Sequence, residues 1–442
     1  MKTRKMKDSG VKWIGYIPID WECRKVRAYY QITTGFTPPS NDESYYCTEG
    51  GKAWLTIGDL KGSVVYSSRQ QITYACANEH INDMAPKGSL LYSFKLSVGQ
   101  TAVAGTDLYT NEAIAAFHPR PGISIPFLRY SASLIEGNAN TNIYGAKIMN
   151  QKLIYSAPIV FPSLPEQRAI AAYLDKRCAK IDAMVADAKK LIEEYKAWKA
   201  SVIFEAVTGK VGVDGRCRCR KMRDSGVDWI GQVPEGWVFY PIKRFFSFFK
   251  GLNITKADLT ESGIPVVSYG QIHAKNNTGT HLQDELLRHV PQHYMESCPE
   301  SRLKENDFVF ADTSEDLEGL GNCAFVDRSD AVMAGYHTIV LRPVKNAHFK
   351  YLAYLFRADC WRRQMREIAF GIKVYSLSQR MLRQCSLVLP PLPEQRAIAA
   401  YLDRKCAAID RVVAVKEGLI ADLEAYKKSL IFECVTGKRE VA

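Results

Sequence analysis

The sequence predicts a mixed α/β protein in which two α/β domains alternate with two long helices, the whole built as an internal repeat. Three observations predict it. Residues 164–210 and 392–438 are two copies of one block in constant register, 228 residues apart, with 30 of 47 positions identical. A shorter block also occurs twice, MKDSGVKWIGYIP at 6–18 and MRDSGVDWIGQVP at 222–234, each followed three residues on by a tryptophan, Trp21 or Trp237. Between the blocks no similarity is evident, and because the two offsets are 228 and 216 the second intervening stretch is longer by 12 residues.

The long block reads as a helix from its ends inward. Pro165-Glu166-Gln167 and Pro393-Glu394-Gln395 open the copies. Proline suits the first helical turn and a carboxylate there offsets the positive end of the helix dipole. Gly209 and Gly437 close them, since glycine adopts the left-handed conformation that ends a helix. In the first copy Ile170, Leu174, Cys178, Ile181, Val185, Ile192, Tyr195 and Val202 recur at helical spacing. The second has Ile398, Leu402, Cys406, Ile409, Val413, Ile420, Leu423 and Leu430. Leu174, Ile181, Ala188, Tyr195 and Val202 step by seven, which marks a narrow seam for a partner helix. A helix of about 40 residues is roughly 60 Å long, too long for one wall of a compact core.

The other elements follow in chain order. Asp8-Ser9-Gly10 and Gly15 mark turns in the leading block, and Trp13 and Trp21 are expected as packing anchors, because the second copy keeps the same tryptophans. In the first variable stretch, 33–40 (TTGFTPPS) is a loop, 52–62 a strand ending in a turn, 89–105 two β-rich runs around a polar bend, and 110–119 a further short apolar run. Residues 211–221 form a basic linker; its Cys217 and Cys219 lack the second pair that a zinc site needs. The second variable stretch has strand-like runs FSFFKGLNITKADL, IPVVSYGQIH, DFVFADT and YHTIVLRP, then one helix rich in aromatics and arginine over 349–370. The resulting domains are 1–163, 164–210, 211–221, 222–391 and 392–442, with leading blocks at 6–26 and 222–242.

Composition narrows the function. An excess of 59 basic over 47 acidic residues, net +12, favours a polyanionic partner. No apolar run approaches the ~18 residues of a membrane span, and no apolar segment follows the charged N-terminus, so neither a span nor a signal peptide is expected. Twelve cysteines, several on the helix seams, suit a reducing cytoplasm. Gly209-Lys210 and Gly437-Lys438 lack the upstream glycine and following hydroxyl of a phosphate-binding loop. Pro38-Pro39 and Pro390-Pro391 have the wrong neighbours for an amino-methyltransferase motif. The acidic run Asp312-Thr313-Ser314-Glu315-Asp316 could bind a cation, but a single acidic loop is usually solvated, so neither a catalytic nor a metal-ligating group is expected.

The repeated LPEQRAIAAYLD at the head of a long helix, the DSGVxWIG block before each variable stretch, and the GFTP and WLTIGDLKG sequences together resemble the specificity (S) subunit of type I restriction-modification systems. The resemblance implies two target recognition domains, each reading half of a bipartite asymmetric DNA target. It further implies two long antiparallel helices that pack as a coiled-coil spacer and dock methyltransferase subunits through Pro165, Glu166, Gln167, Arg168, Pro393, Glu394, Gln395 and Arg396. The chain would then be a non-catalytic cytoplasmic subunit without a cofactor. Its partners would be double-stranded DNA, two methyltransferase (M) subunits that bind S-adenosylmethionine, and restriction (R) subunits.

Interleaved aromatic, amide and basic residues nominate the DNA contacts. They are Thr37, Trp54, Lys61, Tyr92, Lys95, Tyr144 and Lys147 in the first domain, and Lys250, Asn253, Lys256, Tyr269, Gln271, His273, His337, Lys373 and Tyr375 in the second. Core packing competes for the same aromatics. Two other readings compete with the whole: a stand-alone DNA-modifying enzyme, which needs the missing motifs, and a coiled-coil adaptor without a DNA role, which leaves the basic excess unexplained.

Overall fold

A computed structural model describes residues 4–95, 97–141, 147–212, 220–227, 230–369 and 374–441. The chain forms two compact units, one of Met1–Ala188 with Gly418–Ala442, the other of Lys189–Glu417. Both long helices are therefore divided between units. They run Leu164–Val207 and Leu392–Val435, 44 residues each, and the seam residues Leu174, Ile181, Ala188 and Val202 are buried.

In the first unit the leading block is a hairpin, Met6–Asp8 against Tyr16–Pro18. Strand Glu22–Lys25 pairs antiparallel with Pro158–Phe161, the strand that feeds the helix. Between them lies a five-stranded sheet in the order Ile32–Thr34, Ile114–Phe117, Leu90–Ser93, Thr101–Ala104, Val64–Val65, and a second sheet in which Tyr109–Thr110 pairs parallel with Lys52–Leu55. A core of Ile14, Ile17 and Trp21 meets Ile170, Leu174 and Cys178 of the first long helix and Leu430, Cys434 and Val435 of the second.

The second unit repeats this topology on different residues. Hairpin Met222–Asp224 with Gln232–Pro234 is followed by Val238–Pro241, which pairs with Ser386–Leu389. The sheet order is Phe246–Lys250, Thr338–Pro343, Phe308–Ala311, Cys323–Phe325, and again a parallel pair, Ile264–Val267 with Met333–Ala334, builds the second sheet. Trp237 meets Val202, Ile203, Ala206 and Val207 of one long helix and Ile398, Leu402 and Cys406 of the other. The two variable stretches thus share a sheet order, with one strand fewer in each sheet of the second, although no similarity is evident on reading their sequences. One expectation needs correcting: 349–370 is two helices, Phe349–Arg357 and Asp359–Ile368, broken at Ala358 (ψ 137°). The break brings Phe356 and Trp361 into one core, with ring centroids 4.4 Å apart.

The long helices meet antiparallel within each unit. Lys427 pairs with Asp182 at 2.6 Å in the first, and Lys199 with Asp410 at 2.7 Å in the second. The two aspartates are one repeat position and the two lysines another, so both contacts follow one register. Such exposed pairs contribute at most about 1 kcal/mol each. The buried seam supplies the stability.

Each unit is closed by the glycine that ends a long helix. Gly437 (φ 70°) presses on Pro18 and Trp21, so a Cβ there would lie 2.4 Å from the proline ring, and Gly209 (φ 71°) presses likewise on Pro234 and Trp237. Gly10, with a similar φ of 73°, has nothing within 4 Å. Gly437→Ala is expected to cost about 2–4 kcal/mol from left-handed strain and overpacking together, and Gly10→Ala only the first part. Equal losses for the two variants in denaturant melts would show that the close approach is unimportant.

Candidate nucleic-acid interface

The repeated Pro-Glu-Gln sequence ties each α/β domain to its helix. In the first unit the Glu166 carboxylate accepts from Trp21 Nε1 at 2.8 Å and from Arg4 Nη1 at 2.5 Å. In the second, Glu394 accepts from Trp237 Nε1 at 3.2 Å and from Arg220. Gln167 is buried; its Oε1 accepts from Ser124 N at 2.9 Å and its Nε2 donates to Pro162 O at 3.0 Å. Gln395, also buried, accepts from His348 N and donates to Pro390 O, both at 2.9 Å. Ser124 and His348 are the N-cap residues of helices Ile125–Ser131 and Phe349–Arg357. Six residues on in each, a tyrosine hydroxyl donates to the long helix at 2.7 Å, Tyr130 to Asp175 and Tyr354 to Asp403. Burial, and then the facing aspartate, push both hydroxyl pKa values up.

These ties involve half of the residues expected to dock a partner. Glu166, Gln167, Glu394 and Gln395 spend their polar atoms inside their own unit; Pro165, Arg168, Pro393 and Arg396 are exposed. The exposed apolar face of the helices lies elsewhere. Met184, Leu191 and Trp198 step by seven along the first long helix, and Val412, Leu419 and Tyr426 occupy the same repeat positions on the second, all exposed. Their spacing was available in the sequence, but the buried seam has the same period and hid it.

The nominated DNA contacts divide sharply by burial. Tyr92 is wholly buried, and Trp54 is 5% exposed with Nε1 donating to Phe36 O at 2.9 Å. Both are core residues and are withdrawn as contacts. Gln271 Oε1 accepts from Ser268 N at 3.1 Å in a capping box, so its amide oxygen is engaged within the domain. Tyr144 and Lys373 lie outside the described residues, as do Cys217 and Cys219.

Thr37, Lys61, Lys95 and Lys147 are exposed in the first domain. Thr37 and Lys95 converge on Glu112: the hydroxyl donates to its carboxylate and the ammonium lies 3.7 Å away. The hydroxyl bond leads the effects that hold the Glu112 pKa low. Lys147 pairs with Glu136 at 2.8 Å. In the second domain Lys250, Asn253 and Lys256 are exposed on and beyond the edge strand Phe246–Lys250.

Tyr269, His273 and His337 line one cleft of about 890 Å³ in the second domain, and Tyr375 pairs in register with the lining residue Ser314. Lys275, Arg357 and Arg362 also line it; sequence reasoning did not nominate them, because nothing in the sequence set them apart from the other basic residues. Arg362 and Arg366 staple the loop that carries the acidic run, donating to Leu320 O and Leu317 O at 3.2 Å. Burial, then Arg357 and Arg366, lower the Arg362 pKa to about 10, which leaves it charged at neutral pH. His273 is satisfied internally. Its Nε2 donates to Thr313 O at 2.7 Å and its Nδ1 accepts from Asn322 Nδ2 at 3.0 Å, so it positions the loop.

Among the described residues no group of three or more His, Cys, Asp or Glu is placed to hold a metal, and no helix is long and apolar enough to cross a membrane. The described cysteines are free, and burial pushes the Cys406 thiol up to about 11.

Two domains of related topology with different exposed residues, each fastened to one of two copies of a long helix by the same contacts, define an internally duplicated α/β protein. The chain belongs to the type I restriction modification DNA specificity domain family, whose model matches residues 18–194 and 234–425. It is similar to the type I restriction enzyme EcoKI specificity subunit of Escherichia coli (strain K12), 23% identical over 212 residues that span 47% of this chain and 44% of that protein, less than half its length. It is also similar to the MjaVIII specificity subunit of Methanocaldococcus jannaschii, 22% identical over 324 residues, 71% of this chain and 70% of that one. Among solved structures, a chain from work on complex assembly and conformational transition of the type I R-M system superposes with a TM-score of 0.69 at 14% identity, covering 96% of this chain and 99% of that one. The HsdS subunit from Thermoanaerobacter tengcongensis gives 0.50, also at 14%, covering 98% and 100%. At such identity these likenesses establish the fold.

Proposed function

We propose that the chain is the DNA-specificity subunit of a type I restriction-modification complex, without catalytic activity or a cofactor of its own. Each α/β domain reads one half of a bipartite, asymmetric target in double-stranded DNA, and the paired long helices set the unread spacer between the halves. The observation that carries this reading is the combination of one shared fold and one shared attachment with unlike exposed residues. Base-edge contacts specify sequence, so unlike surfaces on equivalent scaffolds read unlike half-sites.

Lys61, Lys95, Lys147, Lys250 and Lys256 supply phosphate contacts, while Thr37, Asn253, Tyr269 and Tyr375 offer groups to base edges. The exposed apolar residues Met184, Leu419 and Tyr426 of the first unit, and their repeat counterparts Val412, Leu191 and Trp198 of the second, form one stripe in each unit and dock two methyltransferase subunits. A stripe that occurs twice offers equivalent faces to two copies of one partner, and restriction subunits join through them in the cytoplasm.

The purified chain with S-adenosylmethionine and target DNA is expected neither to methylate nor to cut. Adding its methyltransferase subunits is expected to produce sequence-specific adenine methylation, mapped at single-base resolution. Turnover by the chain alone would refute the proposal.

A further inference from the structure

His337 holds a backbone conformation that few non-glycine residues adopt. Its φ is 54°, in the turn between strands Met333–Ala334 and Thr338–Pro343. Such strain persists only where surrounding contacts enforce it, and it gathers at binding and catalytic sites. Here the contacts are explicit. The His337 carbonyl accepts from Asp312 N at 3.0 Å, and the ring Nδ1 lies 3.1 Å from Asp312 Oδ1. That carboxylate is itself fixed by the Thr313 hydroxyl at 2.6 Å. Edge-on contacts with Tyr269 and Tyr336, at centroid distances of 5.4 and 6.0 Å, hold the imidazole plane.

An imidazole anchored this way has a defined polarity. A carboxylate only accepts, so Nδ1 carries the proton and donates to Asp312. In the neutral ring Nε2 is then an acceptor, and it has no partner among the described residues. The side chain is 58% exposed and lines the cleft of the second domain, which Lys275 and Arg357 also line. A fixed acceptor beside cationic side chains suits a hydrogen-bond donor displayed next to a phosphate backbone. In the major groove that donor is the exocyclic amino group of adenine or cytosine.

We propose that His337 is a specificity-determining residue of the second recognition domain, its Nε2 accepting a hydrogen bond from the exocyclic amino group of one base in the second half-site. This rests on the reading of the chain as a DNA-specificity subunit. Asp312 and the two tyrosines are positioning residues. They fix the tautomer and the plane of the ring and need not touch the base.

The test uses the full chain in complex with its methyltransferase subunits. Methylation mapping is expected to show that His337→Gly relaxes one base pair of the second half-site and leaves the first half-site unchanged. Glycine is at ease at this φ, so the variant folds, and a melt no lower than that of the wild type confirms it. Binding is then measured with duplexes in which the amino group at that pair is deleted, purine replacing adenine or 2-pyrimidinone replacing cytosine. Losing one neutral hydrogen bond is expected to weaken wild-type binding about tenfold and to leave His337→Gly unaffected. An unchanged map, an equal loss in both proteins, or a wild type indifferent to amino deletion throughout the second half-site overturns the proposal. A complex with no sequence preference at all overturns the specificity-subunit reading as well.

Discussion

Grafting the corresponding stretch of another such protein in place of residues 243–390 is expected to replace the second half of the methylated sequence and leave the first half as it was. The fold gives the reason and sets the condition. The segment holds the second sheet system, the cleft and the edge-strand residues Lys250, Asn253 and Lys256, while the leading block and both long helices stay native. Its polar attachments include the Gln395 bond to His348 N, the Tyr354 hydroxyl on Asp403, the Tyr351 hydroxyl on Val207 O and the strand pairing of 386–389 with 238–241, and its core packs on Trp237 and both long helices. A graft that keeps a tyrosine six residues beyond the N-cap of its docking helix retains the tie. Single-base mapping decides the outcome, and a change in both halves of the motif would mean that the domains do not read independently.

The second large effect concerns stability. Trp237 is 1% exposed, lies under the helix-ending Gly209, and donates its indole N–H to Glu394. Trp237→Ala removes one of the largest fully buried side chains of its unit and is expected to cost about 3–5 kcal/mol. For a unit of this size that lowers Tm by roughly 10 °C. Trp237→Phe keeps most of the packing and loses only the indole bond, so a much smaller shift is expected. Trp21→Ala should act in the same way on the other unit. Calorimetry that places the Trp237→Ala transition within about 2 °C of the wild type would mean that the leading block is an ornament on the helix end.

The scaffold was legible because its signals are local and doubled. Helix ends, seam period and the leading-block tryptophans are written in nearest-neighbour spacing, and a second copy at fixed offset removes chance. The kinship of the variable domains was not legible. Its trace is a handful of positions, Leu128 and Tyr130 against Leu352 and Tyr354, at an offset of 224 that falls between the two repeat offsets. Backbone pairing carries the rest of the likeness, and many side chains satisfy the same pairing. The nominated DNA contacts fared unevenly for a related reason. Residue type marks Tyr92 and Tyr269 alike as amphipathic aromatics. Tyr92, however, lies on the central strand Leu90–Ser93, where both faces are covered and all four residues are buried. Alternation along the strand, the usual guide to an exposed face, is absent there. His337 stood out in the sequence only as a lone histidine, since a positive φ leaves no mark on residue type.

The buried glutamines have a consequence for inheritance. Gln167 and Gln395 grip the α/β domains by main-chain N–H groups, those of Ser124 and His348, and main-chain atoms are the one part of a residue that substitution leaves in place. The socket therefore tolerates drift in the domain it holds. Under the proposed function, the domain surfaces can diverge, or be exchanged whole between chains, without renegotiating their mounting, so a lineage would acquire new target sequences while the helices and whatever assembles on them stay the same.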